Sequence, residues 1–183
     1  MMTFSGAFQR TEVDTEPQAQ PAVEETAPET VQEPGASLES MIFELVSLAS
    51  YIDKLYTQSH LIHLNIEGPL FLPLHEFLKE QYQAHVENFD TVAELVRSMD
   101  YLMPMCGRGL DNAYKKFKHV KSYECKEMLL VYLKNLEECG MMAKELTETA
   151  RTVEAPDVEN AMAELVNFCF KSAWMLKSTL RGA

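Results

Sequence analysis

From Ser37 onward the apolar residues recur with a period near 3.6 through four long stretches, and no segment alternates with the period of a strand. In the first stretch Leu38, Met41, Ile42, Leu45, Leu48, Ala49, Ile52, Leu55 and Tyr56 share one stripe, which predicts a helix from Ser37 to about Leu64. Asn65–Gly68 closes it. Pro69 and Pro73 allow a new helix only at its first turn, so the second runs from about Pro73 to Leu102, with Leu74, Phe77, Leu78, Phe89, Val92, Ala93, Val96 and Met99 inward. Pro104, Gly107 and Gly109 end it, and a short helix is predicted near Asp111–Phe117 within the connection. A third long helix spans about Ser122–Arg151, with Leu129, Leu130, Leu133, Leu136, Met141 and Leu146 inward. The fourth opens at Pro156, with Asp157 and Glu159 suited to the positive end of its dipole, and reaches about Leu180. The fold class predicted is all-α: a four-helix bundle over residues 37–183, with a short helix in its middle connection.

Residues 1–36 read differently. Pro17, Pro21, Pro28 and Pro34 stand among Glu, Gln, Thr and Ala, and Val13, Val23 and Val31 are the only large aliphatics between residues 9 and 36. Such a segment buries too little apolar surface to offset its chain entropy, so a disordered tail is expected, with Phe4 and Phe8 as features that could dock on a protein partner. Of the net charge of −12, seven acids (Glu12, Asp14, Glu16, Glu24, Glu25, Glu29, Glu33) against Arg10 place 1 − 7 = −6 in residues 1–37. This disfavours DNA binding through the tail, because affinity for phosphates comes from Lys and Arg. Cys106, Cys125, Cys139 and Cys169 form no C-x-x-C pair, as expected of reduced thiols in a cytoplasmic protein. No apolar run reaches the ~20 residues of a membrane span and Met1–Glu12 holds none long enough for a signal peptide, so neither is expected.

Imidazoles and carboxylates then stand out on the first two helices. His63 lies near the end of the first helix and His75 near the start of the second, with Asp90 and Glu94 further along. These donor types suit an iron site. A buried histidine is more often structural, however, and carboxylates four apart are common on solvated faces. His75 and Lys79 are one turn apart, as are Asp90 and Glu94, and the 11 residues from Lys79 to Asp90 make about three turns. The two pairs thus share one face, but their centres are roughly 22 Å apart at 1.5 Å per residue. One chain cannot close a metal site across that distance. Two antiparallel copies of the second helix, related by a two-fold axis near Tyr82–Ala84, would set His75 of one opposite Asp90 and Glu94 of the other. His63 would complete the site. The chain has no Glu-x-x-His, the element from which ordinary ferritins build a site within one subunit.

The run His63-Leu-Asn-Ile-Glu-Gly68-Pro-Leu-Phe71-Leu-Pro-Leu-His75-Glu76, followed by Asp90-Thr-Val-Ala-Glu94, resembles the signature of the Dps family, the mini-ferritins of stressed prokaryotes. Lys171-Ser-Ala-Trp174-Met-Leu-Lys-Ser-Thr-Leu180 is similar to that family's last-helix motif, and the resemblance extends over about residues 38–180. It implies a ferritin-like bundle and a hollow homo-oligomer of two-fold dimers, twelve subunits in all. It also implies oxidation of Fe(II) by peroxide or oxygen at inter-subunit sites, with iron stored inside as protection against oxidative damage. Carried over residue by residue, His63 and His75 would come from one subunit and Asp90 and Glu94 from its mate, as catalytic and metal-binding residues.

Three departures accompany the resemblance. Lys79 stands where the family usually has Asp; a protonated amine offers no lone pair and its charge opposes a cation. Lys79 could leave a weak site for one iron, or pair with Asp90 or Glu94, in which case the shell would serve a structural or partner-binding role. Leu64 replaces a usual Trp, although Trp174 is kept. The tail is acidic where DNA-binding members have lysines. His60, one turn before His63, is an additional candidate ligand, and Glu154, Asp157 and Glu159 are candidate pore acids by likeness. A basic cluster of Lys115, Lys116, Lys118, His119 and Lys121 around Phe117 is read as a solvated connection, with nucleic acid, an acidic surface or the protein's own tail as alternative contacts.

Overall fold

A computed structural model describes residues 37–181. The expectations for residues 1–36, disorder and docking through Phe4 or Phe8, lie outside the described residues. Five helices follow in order, with no strand among the described residues: α1 (Leu38–Asn65), α2 (Phe71–Ser98), α3 (Gly107–Ala113), α4 (Cys125–Thr152) and α5 (Pro156–Arg181). The all-α four-helix bundle stands as predicted, with α3 as its short fifth element.

Local chemistry sets each end. Ser37 caps α1 by accepting from the Ser40 backbone N–H, while the Ser40 hydroxyl accepts from Ser37 N–H, so two donors without helix partners are satisfied at once. Ile66 leaves α1 extended, and Gly68, at φ +104°, turns the chain through a conformation that side chains rarely adopt. α2 then begins at Phe71, two residues before Pro73, whose missing N–H falls in the first turn where it costs no helix bond.

α2 ends at Ser98 rather than Leu102. Asp100 adopts φ 66°, its N–H donates to Arg97 O, and Tyr101 N–H donates to Val96 O, which closes a Schellman motif without glycine. α4 ends in the same way: Glu154, at φ 58°, donates to Arg151 O, and Ala155 donates to Ala150 O. Pro156 then starts α5 as predicted.

The short helix lies earlier than expected, at Gly107–Ala113 instead of Asp111–Phe117. Cys106 Sγ accepts from the Gly109 N–H and starts it. Tertiary contacts stop it. Phe117 enters the core edge-on to Tyr51, and the Lys118 carbonyl accepts from both Gln58 Nε2 (3.0 Å) and Asn135 Nδ2 (2.8 Å), which holds residues 114–124 out of a helix.

α1 packs mainly on α2 and α4 on α5, and α1–α4 and α2–α5 contacts close the bundle. Its core is the stripe set predicted from periodicity, including Leu45, Leu48, Ile52, Leu55, Leu78, Leu129 and Leu136. Each such side chain contributes about 1.5–3 kcal/mol by leaving water. Leu38, Leu130 and Met141, expected inside, are exposed instead: Leu38 is the first residue of α1, and Leu130 and Met141 are each one residue, about 100°, round the helix from the buried Leu129 and Gly140.

Candidate metal centre

The five-residue connection between α1 and α2 folds the two helices antiparallel and brings His63 against His75. Their rings stack with centroids 3.7 Å apart and planes 22° from parallel. His63 is 8% exposed and His75 half-buried. The pair is locked by reciprocal hydrogen bonds: His63 Nδ1–H donates to the His75 carbonyl at 2.8 Å, and His75 Nδ1–H donates to the His63 carbonyl at 3.0 Å. The His63 carbonyl is one of those that a helix end leaves unpaired, and His75 satisfies it.

A carbonyl only accepts, so both Nδ1 atoms carry the proton. In a neutral imidazole the other nitrogen, Nε2, then keeps its lone pair. Histidines that bind metals are commonly oriented this way, with the second nitrogen donating to a carbonyl or carboxylate. Neither Nε2 enters a hydrogen bond among the described residues. Each of the two stacked rings thus keeps one imidazole nitrogen that the fold does not use.

The surroundings are aromatic. Phe71 lies 5.0 Å from the His75 ring and Tyr82 lies edge-on 5.3 Å from His63. His60 stacks on Tyr82 at 4.3 Å and is 6.1 Å from His63, so it is held by the tyrosine rather than grouped with the histidine pair. Sequence reading overlooked Tyr82; its spacing of seven from His75, two helical turns, was the available signal.

Asp90 and Glu94 are not brought to the histidines. Both are exposed on the later half of α2, and neither has a salt bridge or side-chain hydrogen bond among the described residues. Lys79 is likewise exposed and has no ion pair there. Among the described residues no three of His, Cys, Asp and Glu lie close enough to hold a metal ion. Apolar side chains around the α1–α2 turn are uncovered: Leu64 is 64%, Leu72 62% and Phe71 43% exposed. Of the candidate pore acids, Glu159 is bound by Arg151 at 2.7 Å and Glu154 forms the α4 turn.

Another histidine escaped the sequence reading. His85 is fully buried on α2, its Nε2 2.9 Å from the Tyr132 hydroxyl, which in turn lies 3.3 Å from Gln81 Oε1. Its Nδ1 has no partner, and burial lowers its pKa to about 3, keeping it neutral. The core spacing Leu78–Gln81–His85–Val92–Val96 places it inside.

Among curated proteins none matches the chain. The solved structures it resembles include Dps from Vibrio cholerae, described as a member of a broad superfamily of ferritin-like diiron-carboxylate proteins. That likeness has a TM-score of 0.72 at 19% identity, over 78% of this chain and 89% of that one. Dps from Staphylococcus aureus matches with a TM-score of 0.75 at 19% identity, over 80% and 98% of the two chains. The Helicobacter cinaedi protein CAIP matches at 0.71 and 25% identity, over 76% and 99%. No helix of the described residues is long and apolar enough to cross a membrane. The family described as "Ferritin-like domain" matches residues 52–182, and with this bundle and these structural likenesses the chain belongs to the ferritin-like family and has the fold of the Dps proteins.

Proposed function

We propose that the protein is a Dps-like ferroxidase and iron store of the cytoplasm. In this reading Fe(II) binds where His63 and His75 of one subunit face Asp90 and Glu94 of its two-fold mate. The observation that carries the reading is the reciprocal Nδ1–carbonyl bonding, which leaves the Nε2 lone pair of each of two stacked imidazoles unused. The unpaired carboxylates on the same helix and the uncovered apolar side chains of Leu64, Phe71 and Leu72 support a second copy as the missing half. The assembly proposed is the closed homo-oligomer of two-fold dimers, twelve subunits in all.

The residues' work is to hold and orient the substrate. Neutral imidazoles supply the nitrogen donors. Asp90 and Glu94 offset the charge that grows as Fe(II) becomes Fe(III), and Tyr82 and Phe71 limit water around the pair. Two Fe(II) each give one electron, and a peroxide takes both with two protons to become two waters. Lys79 shapes the capacity: against the −2 of the mate's two carboxylates it contributes +1, so each site offsets one divalent cation far better than two.

Anaerobic addition of Fe(II) followed by peroxide tests the reading. A fast rise in Fe(III) absorbance is expected, lost in His63→Ala and in Asp90→Ala. The exposure of Lys79 one turn from His75 favours one other reading, in which it pairs with the mate's carboxylates and the shell serves a structural or partner-binding role. In that case the parent protein gives no rise above buffer and Lys79→Asp restores it.

A further inference from the structure

Residues 114–124 form an extended strap along α1. It is pinned at its middle by buried Phe117 and by the bonds to the Lys118 carbonyl, and just before it by the ion pair and hydrogen bond that tie Lys54 of α1 to Asp111. The strap presents Lys115, Lys116, Lys118, His119 and Lys121 to solvent, and none has an ion pair among the described residues. Four cations over seven residues on a rigid support are unusual in a chain of net charge −12. A groove lies on either side of it. The one nearer Ser37, about 470 Å³, includes Phe43 (58% exposed), Tyr114, Met142 and Lys116, with Glu44 and Glu145 on its wall. The other, about 570 Å³, has Leu61, Ile62, Val120 and Met128 as its apolar surface, Tyr123 over it, and Asp53 and Lys121 at its rim.

We propose that this chain's own N-terminal segment occupies the strap, with the acids from Glu12 to Glu33 along the lysines and Phe4 and Phe8 in the groove beyond. The order of features matches. Chain leaving Ser37 meets the nearer groove first, since Phe43 is six residues, roughly 9 Å, along α1. The acidic stretch comes next, opposite the lysines. The segment's only aromatics come last, level with the far groove at Asp53–Asn65, roughly 24–42 Å along α1 from Ser37. The 29 residues from Phe8 to Ser37 span at most about 100 Å, so the reach is ample. Covalent attachment also gives the segment an effective concentration on the order of millimolar, enough for a contact too weak to form between separate molecules. Docked there, the segment screens the strap lysines, so a polyanion must compete with the chain's own carboxylates to bind them.

Carbodiimide coupling of the full-length protein, which joins only carboxylates and amines already in contact, tests this. At low ionic strength the couplings from Glu12–Glu33 should fall on Lys115, Lys116, Lys118 and Lys121 at least tenfold more often than on Lys126, Lys134 and Lys144. They should be lost near 1 M salt, where charge interactions reach only about 3 Å. Amide exchange of residues 114–124 should also quicken when the seven acids of the segment are changed to their amides, or when Phe4 and Phe8 are changed to Ser. Couplings spread over all exposed lysines, or strap lysines joined to folded acids of a second copy, would overturn the proposal, as would exchange that neither variant changes.

Discussion

His63 and His85 are both buried histidines, on adjoining antiparallel helices, yet each uses the opposite nitrogen on the protein. His63 spends Nδ1 on a backbone carbonyl and leaves Nε2 free at the edge of the bundle. His85 spends Nε2 on Tyr132 and leaves Nδ1 unpartnered in the interior. The first arrangement leaves a lone pair on a ring that is 8% exposed; the second ties α2 to α4 and leaves its lone pair fully enclosed. Burial of a histidine therefore says little by itself; what differs between the two is whether the unused nitrogen can be reached from outside.

Substitution at the two sites should separate function from stability. His85→Ala opens a cavity and removes one of the Tyr132 hydroxyl's two partners, at an expected cost of about 3 kcal/mol in urea unfolding, with peroxide-driven Fe(II) oxidation intact in the folded fraction. His63→Ala should do the reverse: oxidation falls a hundredfold or more, while stability drops by about 1 kcal/mol for the lost stacking and hydrogen bond. Equal losses of both properties in both variants would erase the comparison.

Acid should find His85 first. Its folded pKa of about 3 lies below the 6.5 of an exposed imidazole, so the folded state binds fewer protons than the unfolded one between those values. The contribution is fully present above pH 6.5 and is lost as pH falls toward 3, at up to about 1.4 kcal/mol per pH unit. Unfolding midpoints measured from pH 7.5 to 4.5 should fall more steeply for the parent protein than for His85→Gln. Parallel slopes would assign the acid sensitivity elsewhere.

Lys79→Asp sharpens the other half of the comparison. With the free Nε2 pair unchanged, exchanging +1 for −1 should raise Co(II) affinity about tenfold and add a second ion per site, read by calorimetric titration. Unchanged affinity would mean that Lys79 does not face the histidines' ligand. The smallest effect is local to the backbone. Glu154→Gly relieves a left-handed conformation that side chains disfavour, and should stabilise the protein by about 0.5–1 kcal/mol if the Schellman bonds persist.

Much of the bundle was legible because each long helix carries its own evidence. A stripe such as Leu45–Leu48–Ile52–Leu55 needs only the helical period to declare which face is buried. Errors came where distant groups override local preference. Residues 114–117 look able to continue a helix, but Phe117 has a place in the core and Gln58 and Asn135 claim the Lys118 carbonyl. Leu102 looked helical, yet the chain turns at Asp100, where an aspartate takes a position usually left to glycine.

At the candidate site the sequence by itself determined the donor types, their placement on two helices, and the roughly 22 Å or more that keeps His75 from Asp90 and Glu94 within one chain. These follow from residue identity and the rise of a helix. Only the tertiary structure decided that His63 and His75 stack, that each locks the other's tautomer through a backbone carbonyl, and that His85 is consumed inside. The reason is physical: periodicity fixes which face of a helix a ring lies on, but the choice of nitrogen depends on a carbonyl that the turn between helices brings within 3 Å.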